Sequence, residues 1–233
     1  MKNITWITGA SAGIGKALVK KFNKEDINVI ATSRRLNKLQ EISKELNGSA
    51  EFSVYSNDVA KFIEVKELVE KIAKDYNIEC LINNAGITSF KPFVENSIEE
   101  IEQIIDTNLK GAIYTIKSVL PRMIENNNGT IINILSVAAK TIFTNSSVYA
   151  ASKAGLEIFS KVIREELRDK NIKVINVFPG ATSTEIWPPA ILNKHNSKMM
   201  NPTELAEMIY DVYKNSSKIS PEEIVVRPIT GDL

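Results

Sequence analysis

A chain of 233 residues, 43% hydrophobic and 24% charged, has a globular composition and enough length for one substantial core. Its 29 basic and 28 acidic residues leave a formal net charge of +1, which argues against a nucleic-acid or membrane-surface partner. No apolar run approaches the roughly 20 residues of a bilayer span, and the opening MKNITWITGASAG turns into a strand and a glycine loop too early for a signal peptide.

The first β-rich run, Asn3–Thr8, leads directly into TGASAGIG and a helical pattern. Small residues after a strand let a phosphate approach the backbone, and the helix that follows offers unpaired N–H groups. Gly9, Gly13 and Gly15 follow a G-x-x-x-G-x-G spacing. A P-loop needs a glycine five places before Gly15 and Ser or Thr after Lys16; Ala10 and Ala17 stand there, so triphosphate hydrolysis is disfavoured.

The second run, Ile27–Ser33, ends in Ser33, Arg34 and Arg35. A carboxylate there would accept from an adenosine ribose, whereas guanidiniums suit a 2′-phosphate. Ala12, just before the second glycine, supplies no further cation. The third run, Ala50–Ser56, precedes Asp58, a good helix-capping residue, and a helix with Val65, Leu68, Val69 and Ile72 on one face.

The fourth run, Glu79–Asn84, holds the lone Cys80, read as a small core hydrophobe in a reducing, cytoplasmic setting, and ends in NNAG. A helical segment with TNLKG follows, then the fifth run, Thr130–Ser136. The next helix, opening SSVYAASKAG, sets Tyr149 and Lys153 four residues apart on one face, with Leu156, Phe159, Val162 and Ile163 as its apolar stripe. The sixth run, Lys173–Pro179, passes into PGATST, and a final run spans Glu223–Pro228.

His195, the lone histidine, is read as a surface loop residue; no metal site is expected, and a His-dependent hydrolase is a poor fit. Alternating strands and helices, with strands apolar nearly throughout, predict one α/β domain over residues 1–233: a doubly wound parallel sheet of about seven strands with helices on both faces.

Five blocks in register, TGASAGIG, NNAG, TNLKG, Ser136 with Tyr149 and Lys153, and PGATST, resemble the classical short-chain dehydrogenase/reductase family. The likeness implies a Rossmann fold that binds NAD or NADP. It makes Gly9, Ser11, Gly13, Ile14 and Gly15 the phosphate loop, and sets Asp58 and Val59 at the adenine. It lines the cofactor with Asn84, Ala85 and Gly86, and brings Thr182 to the nicotinamide carboxamide. With Arg34 and Arg35 at the second strand, NADP(H) is the expected cofactor and NAD(H) the other dinucleotide.

The likeness also implies Tyr149 as general acid and base, Ser136 on the substrate oxygen, Lys153 on the nicotinamide ribose, and Asn108 holding a relay water. A lysine cation about 4 Å away at an effective dielectric of about 20 would hold the Tyr149 hydroxyl well below its ordinary range. The implied reaction interconverts a carbonyl and an alcohol by hydride transfer. A 3-oxoacyl-thioester reductase and a non-catalytic dinucleotide sensor are the alternatives.

The tail EEIVVRPITGDL somewhat resembles 3-hydroxy acid dehydrogenase-like members. Residues 185–201, with Trp187, Ile191, Leu192, Met199 and Met200, are expected to form a short substrate lid or to pack on a partner. Relatives imply a homodimer or homotetramer through the helices bearing Asn108 and Tyr149.

Overall fold

β-Branched runs flanked by helical patterns need both sheet faces covered, and the chain achieves this in the order its sequence suggests. The computed structural model describes residues 1–214 and 219–232; Leu233, the last residue of the tail read above, lies outside them. Strands β1 (Lys2–Thr8), β2 (Val29–Ser33), β3 (Phe52–Ser56), β4 (Tyr76–Asn83), β5 (Gly129–Ile134), β6 (Ile172–Pro179) and β7 (Glu223–Val226) form one sheet in the order β3-β2-β1-β4-β5-β6-β7. Every pairing is parallel. The fold is a Rossmann-like α/β sheet, and its direction of winding reverses between β1 and β4, where such sheets open a ligand crevice.

Helices α1 (Gly13–Lys24), α2 (Leu36–Glu45) and α8 (Pro202–Lys214) pack Leu18, Phe22, Leu39 and Ile209 on one face, against Ile7, Ala31 and Ile82. Helices α3 (Phe62–Ile72), α5 (Gly111–Glu125) and α6 (Ser147–Glu166) pack Val65, Val119 and Ile163 on the other, against Trp6, Leu81 and Ile131. Strands β2 and β5 are buried throughout, so even their polar residues Thr32, Ser33, Thr130 and Asn133 lie inside the sheet. The edge strands β3 and β7 are only half-buried, and β7 alternates exposed with half-buried residues.

The α6 stripe differs from expectation at one position. Leu156, Ser160 and Ile163 face the sheet, but Val162 is 53% exposed and lies beside the equally outward Ile158. Val162 belongs to a second, outer apolar face of the same helix. Ser160 accepts from Asn133 Nδ2 of β5 at 2.9 Å, and Arg164 Nε donates to the Val174 carbonyl at 2.8 Å, so α6 is pinned to the sheet by polar contacts as well as packing. Helix α4 (Ile98–Ile105) runs into α5 through a π turn, Asp106–Lys110, an irregularity common beside functional sites.

Candidate active site

A cleft of about 1150 Å³ opens at the C-terminal ends of β1 and β4. Its floor is built by backbone. Gly9 adopts φ +62°, and a Cβ there would stand 2.6 Å from Ala85 Cα, so main chain meets main chain with no room for a side chain. Asn84 Nδ2 donates to the Thr8 and Gly9 carbonyls, both at 3.1 Å, while Thr8 Oγ1 accepts from the N–H groups of Asn84 and Ala85 at 3.0 and 3.1 Å. The loops after β1 and β4 are thereby fused into one surface.

Gly13, at φ +51°, lies under Thr184. Helix α1 then starts with no side-chain cap from Ala12 and no acid in its first turn, leaving its N–H groups available to an anion. Gly9, Ser11, Gly13 and Ile14 line the cleft. Gly15 does not: its missing Cβ would sit 2.5 Å from both Asn84 Nδ2 and the Gly9 carbonyl oxygen, so it serves close packing behind the loop.

At the β2 end, Ser33 Oγ donates to Ser11 Oγ at 2.9 Å and accepts from the Arg35 N–H at 2.9 Å. Arg35 Nε also donates to Ser11 Oγ, at 3.1 Å, and its Nη1 stands 3.5 Å from the Glu185 carboxylate. Arg34 is exposed at the cleft edge and has no hydrogen-bond or ion-pair partner among the described residues.

Asp58 lines the cleft but is not the helix cap expected of it. Its carboxylate accepts from the Ala60 N–H at 3.1 Å, folding a turn, and α3 begins only at Phe62 after Lys61. Val59 lines the cleft and also packs under Gly111, where a Cβ would meet it at 2.7 Å. Beside them is a residue the sequence reading missed. Asn57 is 4% exposed, lines the cleft, and its Oδ1 has no partner. A buried carbonyl without a donor is an acceptor held ready for a ligand N–H or O–H.

The other end of the cleft gathers Ser136, Tyr149 and Lys153. Ser136 follows β5 in extended backbone, and its Oγ accepts from the Ala138 N–H at 3.1 Å. Lys153 is 4% exposed; its Nζ donates to the Ile134 carbonyl at 2.7 Å and lies 5.8 Å from the Tyr149 ring centre.

Burial pushes the Tyr149 hydroxyl above its ordinary range, opposed by a hydrogen bond with Ser136. Burial also lowers the Lys153 ammonium to about 8. The expected downward pull on Tyr149 is therefore reversed in the free chain. Desolvation dominates, and the lysine charge is itself desolvated and turned to a backbone carbonyl.

Asn108 lies behind these residues rather than in the main cleft. Its Oδ1 accepts from the Ile87 N–H at 2.9 Å, and its Nδ2 donates to the Ile87 carbonyl at 2.9 Å and to Ser152 Oγ at 3.0 Å. Ser152 in turn donates to the Tyr149 carbonyl at 2.7 Å. Both amide hydrogens are committed, so the carboxamide keeps only a lone pair of Oδ1 for a relay water. Its evident work is to tie the loop after β4 to the helix bearing Tyr149. Gly86 lies between, where a Cβ would stand 3.5 Å from both Asn108 Oδ1 and Lys153 Nζ.

Residues 185–201, expected as a lid or a partner contact, are fastened at their base, where Ser183 N–H donates to the Met200 carbonyl and Met200 N–H to the Ala181 carbonyl, both at 2.9 Å. Thr182 is 4% exposed beneath them and lines the cleft. Above, Trp187 stacks on Phe90 with ring centres 4.8 Å apart and planes 6° from parallel, and its Nε1 donates to the Thr182 carbonyl at 2.9 Å. The stack joins this segment to the loop after β4. His195 ends a short helix α7 (Pro189–His195) and lines the cleft, rather than sitting in a surface loop.

A family model described as short chain dehydrogenase matches residues 3–194. An uncharacterised oxidoreductase of Staphylococcus aureus is 30% identical over 227 residues, which cover 97% of each chain. The closed form of a serine dehydrogenase complexed with NADP+ superposes with a TM-score of 0.92 at 31% identity, covering 99% of this chain and 96% of that one. A serine dehydrogenase from Escherichia coli gives a TM-score of 0.88 at 31% identity, covering 99% of this chain and all of that one, 100%.

Proposed function

This chain belongs to the short-chain dehydrogenase family, and from that premise we propose that it interconverts a carbonyl and an alcohol with NADP(H), with Tyr149 as general acid and base. It is an NAD(P)-dependent dehydrogenase or reductase. The observation that carries the finer reading is the meeting of Ser136, Tyr149 and Lys153 in one cleft with the glycine loop of Gly9 and Gly13.

The residues present suit a dinucleotide. Uncapped N–H groups of α1 face the cleft beside Gly13, the Gly9 cradle admits no side chain, and the orphaned Asn57 Oδ1 awaits a donor. Ser11, Ile14, Gly9 and Gly13 would hold the pyrophosphate, Asp58 and Val59 the adenine side, and Arg34 and Arg35 a 2′-phosphate. Asn84, Ala85, Gly86 and Thr182 would border the nicotinamide half. The bound dinucleotide supplies or accepts the hydride.

The chain handles the proton. With its ionisation pushed up by burial, Tyr149 is a neutral hydroxyl at neutral pH, loaded to protonate a carbonyl oxygen in the reductive direction. Ser136, which lines the same cleft as that hydroxyl, offers a second polar group to the same oxygen. Lys153, held against the Ile134 carbonyl, sets a positive charge behind the tyrosine that stabilises its oxygen as the proton leaves. Asn108 acts by positioning, through Ile87 and Ser152.

The serine dehydrogenase likeness makes small 3-hydroxy acids and hydroxy amino acids the first alcohols to try. Exposed Ile158 and Val162 on α6 favour a homodimer or homotetramer. The test is a panel of aldehydes, ketones, 3-oxo acids and hydroxy acids followed by nicotinamide absorbance with each dinucleotide. Turnover faster with NADPH than NADH is expected; no turnover with any member, or a preference for NADH, contradicts the reading.

A further inference from the structure

The adenosine end of the cleft contains one contact that the proposed chemistry does not use. Arg35 belongs to the β2 side of the groove, and Glu185 is the first residue of the lid. Their side chains bridge the groove mouth, Nη1 to Oε2 at 3.5 Å. Arg35 is held for this contact from behind, because its Nε is tied to Ser11. Next to Glu185, Thr184 presses on Gly13 of the phosphate loop, 2.9 Å from where a Cβ would be, so the lid base already rests on the loop that would receive the pyrophosphate.

The pair is a loose one. A single oxygen approaches a single nitrogen at 3.5 Å, and the side chains are 53% and 74% exposed. A phosphate dianion, with three acceptor oxygens and close to twice the charge, is the stronger partner for a guanidinium. A ribose hydroxyl is not.

We propose that Glu185 is a specificity-determining residue: its carboxylate occupies Arg35 in the free chain and must be displaced by the 2′-phosphate of NADP(H), whereas NAD(H) leaves the pair in place. The inference rests on the reading of Arg34 and Arg35 as a 2′-phosphate site. It makes the two arginines unequal. Arg34 meets the phosphate unopposed, whereas Arg35 first gives up an internal anion, and in doing so releases the lid base from the β2 side.

The test measures dissociation constants for NADPH and NADH, by titration calorimetry at low and high salt. The proteins are the wild type, Glu185→Gln, Arg35→Ala and the double variant. Glu185→Gln is expected to tighten NADPH about two- to five-fold, the range of an exposed ion pair, and to leave NADH unchanged. That gain should shrink at high salt and be largely lost in the Arg35→Ala background. If the wild type prefers NADPH yet Glu185→Gln leaves NADPH binding unchanged, weakens it, or tightens both dinucleotides alike, the role of Glu185 is overturned. If the wild type shows no NADPH preference, the 2′-phosphate reading falls, and this inference with it.

Discussion

Replacing Lys153 with methionine should make the protein more stable near neutral pH. The ammonium is 4% exposed, and burial lowers it from 10.5 to about 8. The unfolded chain therefore holds its proton more tightly than the native one, and below about pH 8 the charged native form carries a penalty of about 3 kcal/mol. Between about pH 8 and 10.5 the unfolded state binds more protons, so this group's contribution to stability rises with pH as the native lysine becomes neutral. About 2 kcal/mol of the penalty is gone by about pH 9.5.

Methionine has similar length and no charge, but it leaves the Ile134 carbonyl without its donor, a cost of about 1–2 kcal/mol. The net expectation is a variant about 1–2 kcal/mol more stable than wild type at about pH 7 and no more stable at about pH 9.5. Urea unfolding at the two pH values measures it, and comparing the two proteins cancels the other titrating groups. Parallel pH dependence, or a variant destabilised at both pH values, would refute the claim that a buried charge is held here at a cost in stability.

Three further outcomes follow from the same geometry. Asn108→Ala removes the links to both polar groups of Ile87 and to Ser152, and should cost about 2–4 kcal/mol in urea unfolding, with kcat falling more than KM rises; a loss under about 1 kcal/mol contradicts the positioning role. Ser33→Asp sets a carboxylate beside Arg35 and Ser11, and should cut the NADPH-to-NADH affinity ratio at least about ten-fold by calorimetry; an unchanged ratio removes the 2′-phosphate site from this corner. Ile158→Glu with Val162→Glu should lower the mass seen by light scattering while far-UV circular dichroism is retained; an unchanged mass places assembly elsewhere.

Local pattern made much of the fold legible. The largely apolar, rather than alternating, runs of β2 and β5 pointed to a sheet covered on both faces, because strand burial leaves its mark on consecutive residues. The four-residue step from Tyr149 to Lys153 announced one helical face for the same reason. Long-range contacts were not legible. Asn57 reads as an ordinary loop residue until the fold buries it against the cleft with an unpaired carbonyl.

Phe90 and Trp187 are 97 positions apart in role as well as in chain, one after β4 and one after β6, and nothing local says they stack. Arg35 and Glu185 are joined only by the folded groove. The Tyr149 shift failed in sign because spacing reveals how near a charge is along a helix, but not how deeply both groups are desolvated.

The central claim is that Tyr149 moves the proton in an NADPH-dependent carbonyl–alcohol interconversion, and the Tyr149→Phe variant tests it most directly. With the best carbonyl from the panel, NADPH binding should match wild type by calorimetry while single-turnover NADPH oxidation falls at least about 100-fold. Wild-type oxidation rates in a variant that binds NADPH normally would contradict it.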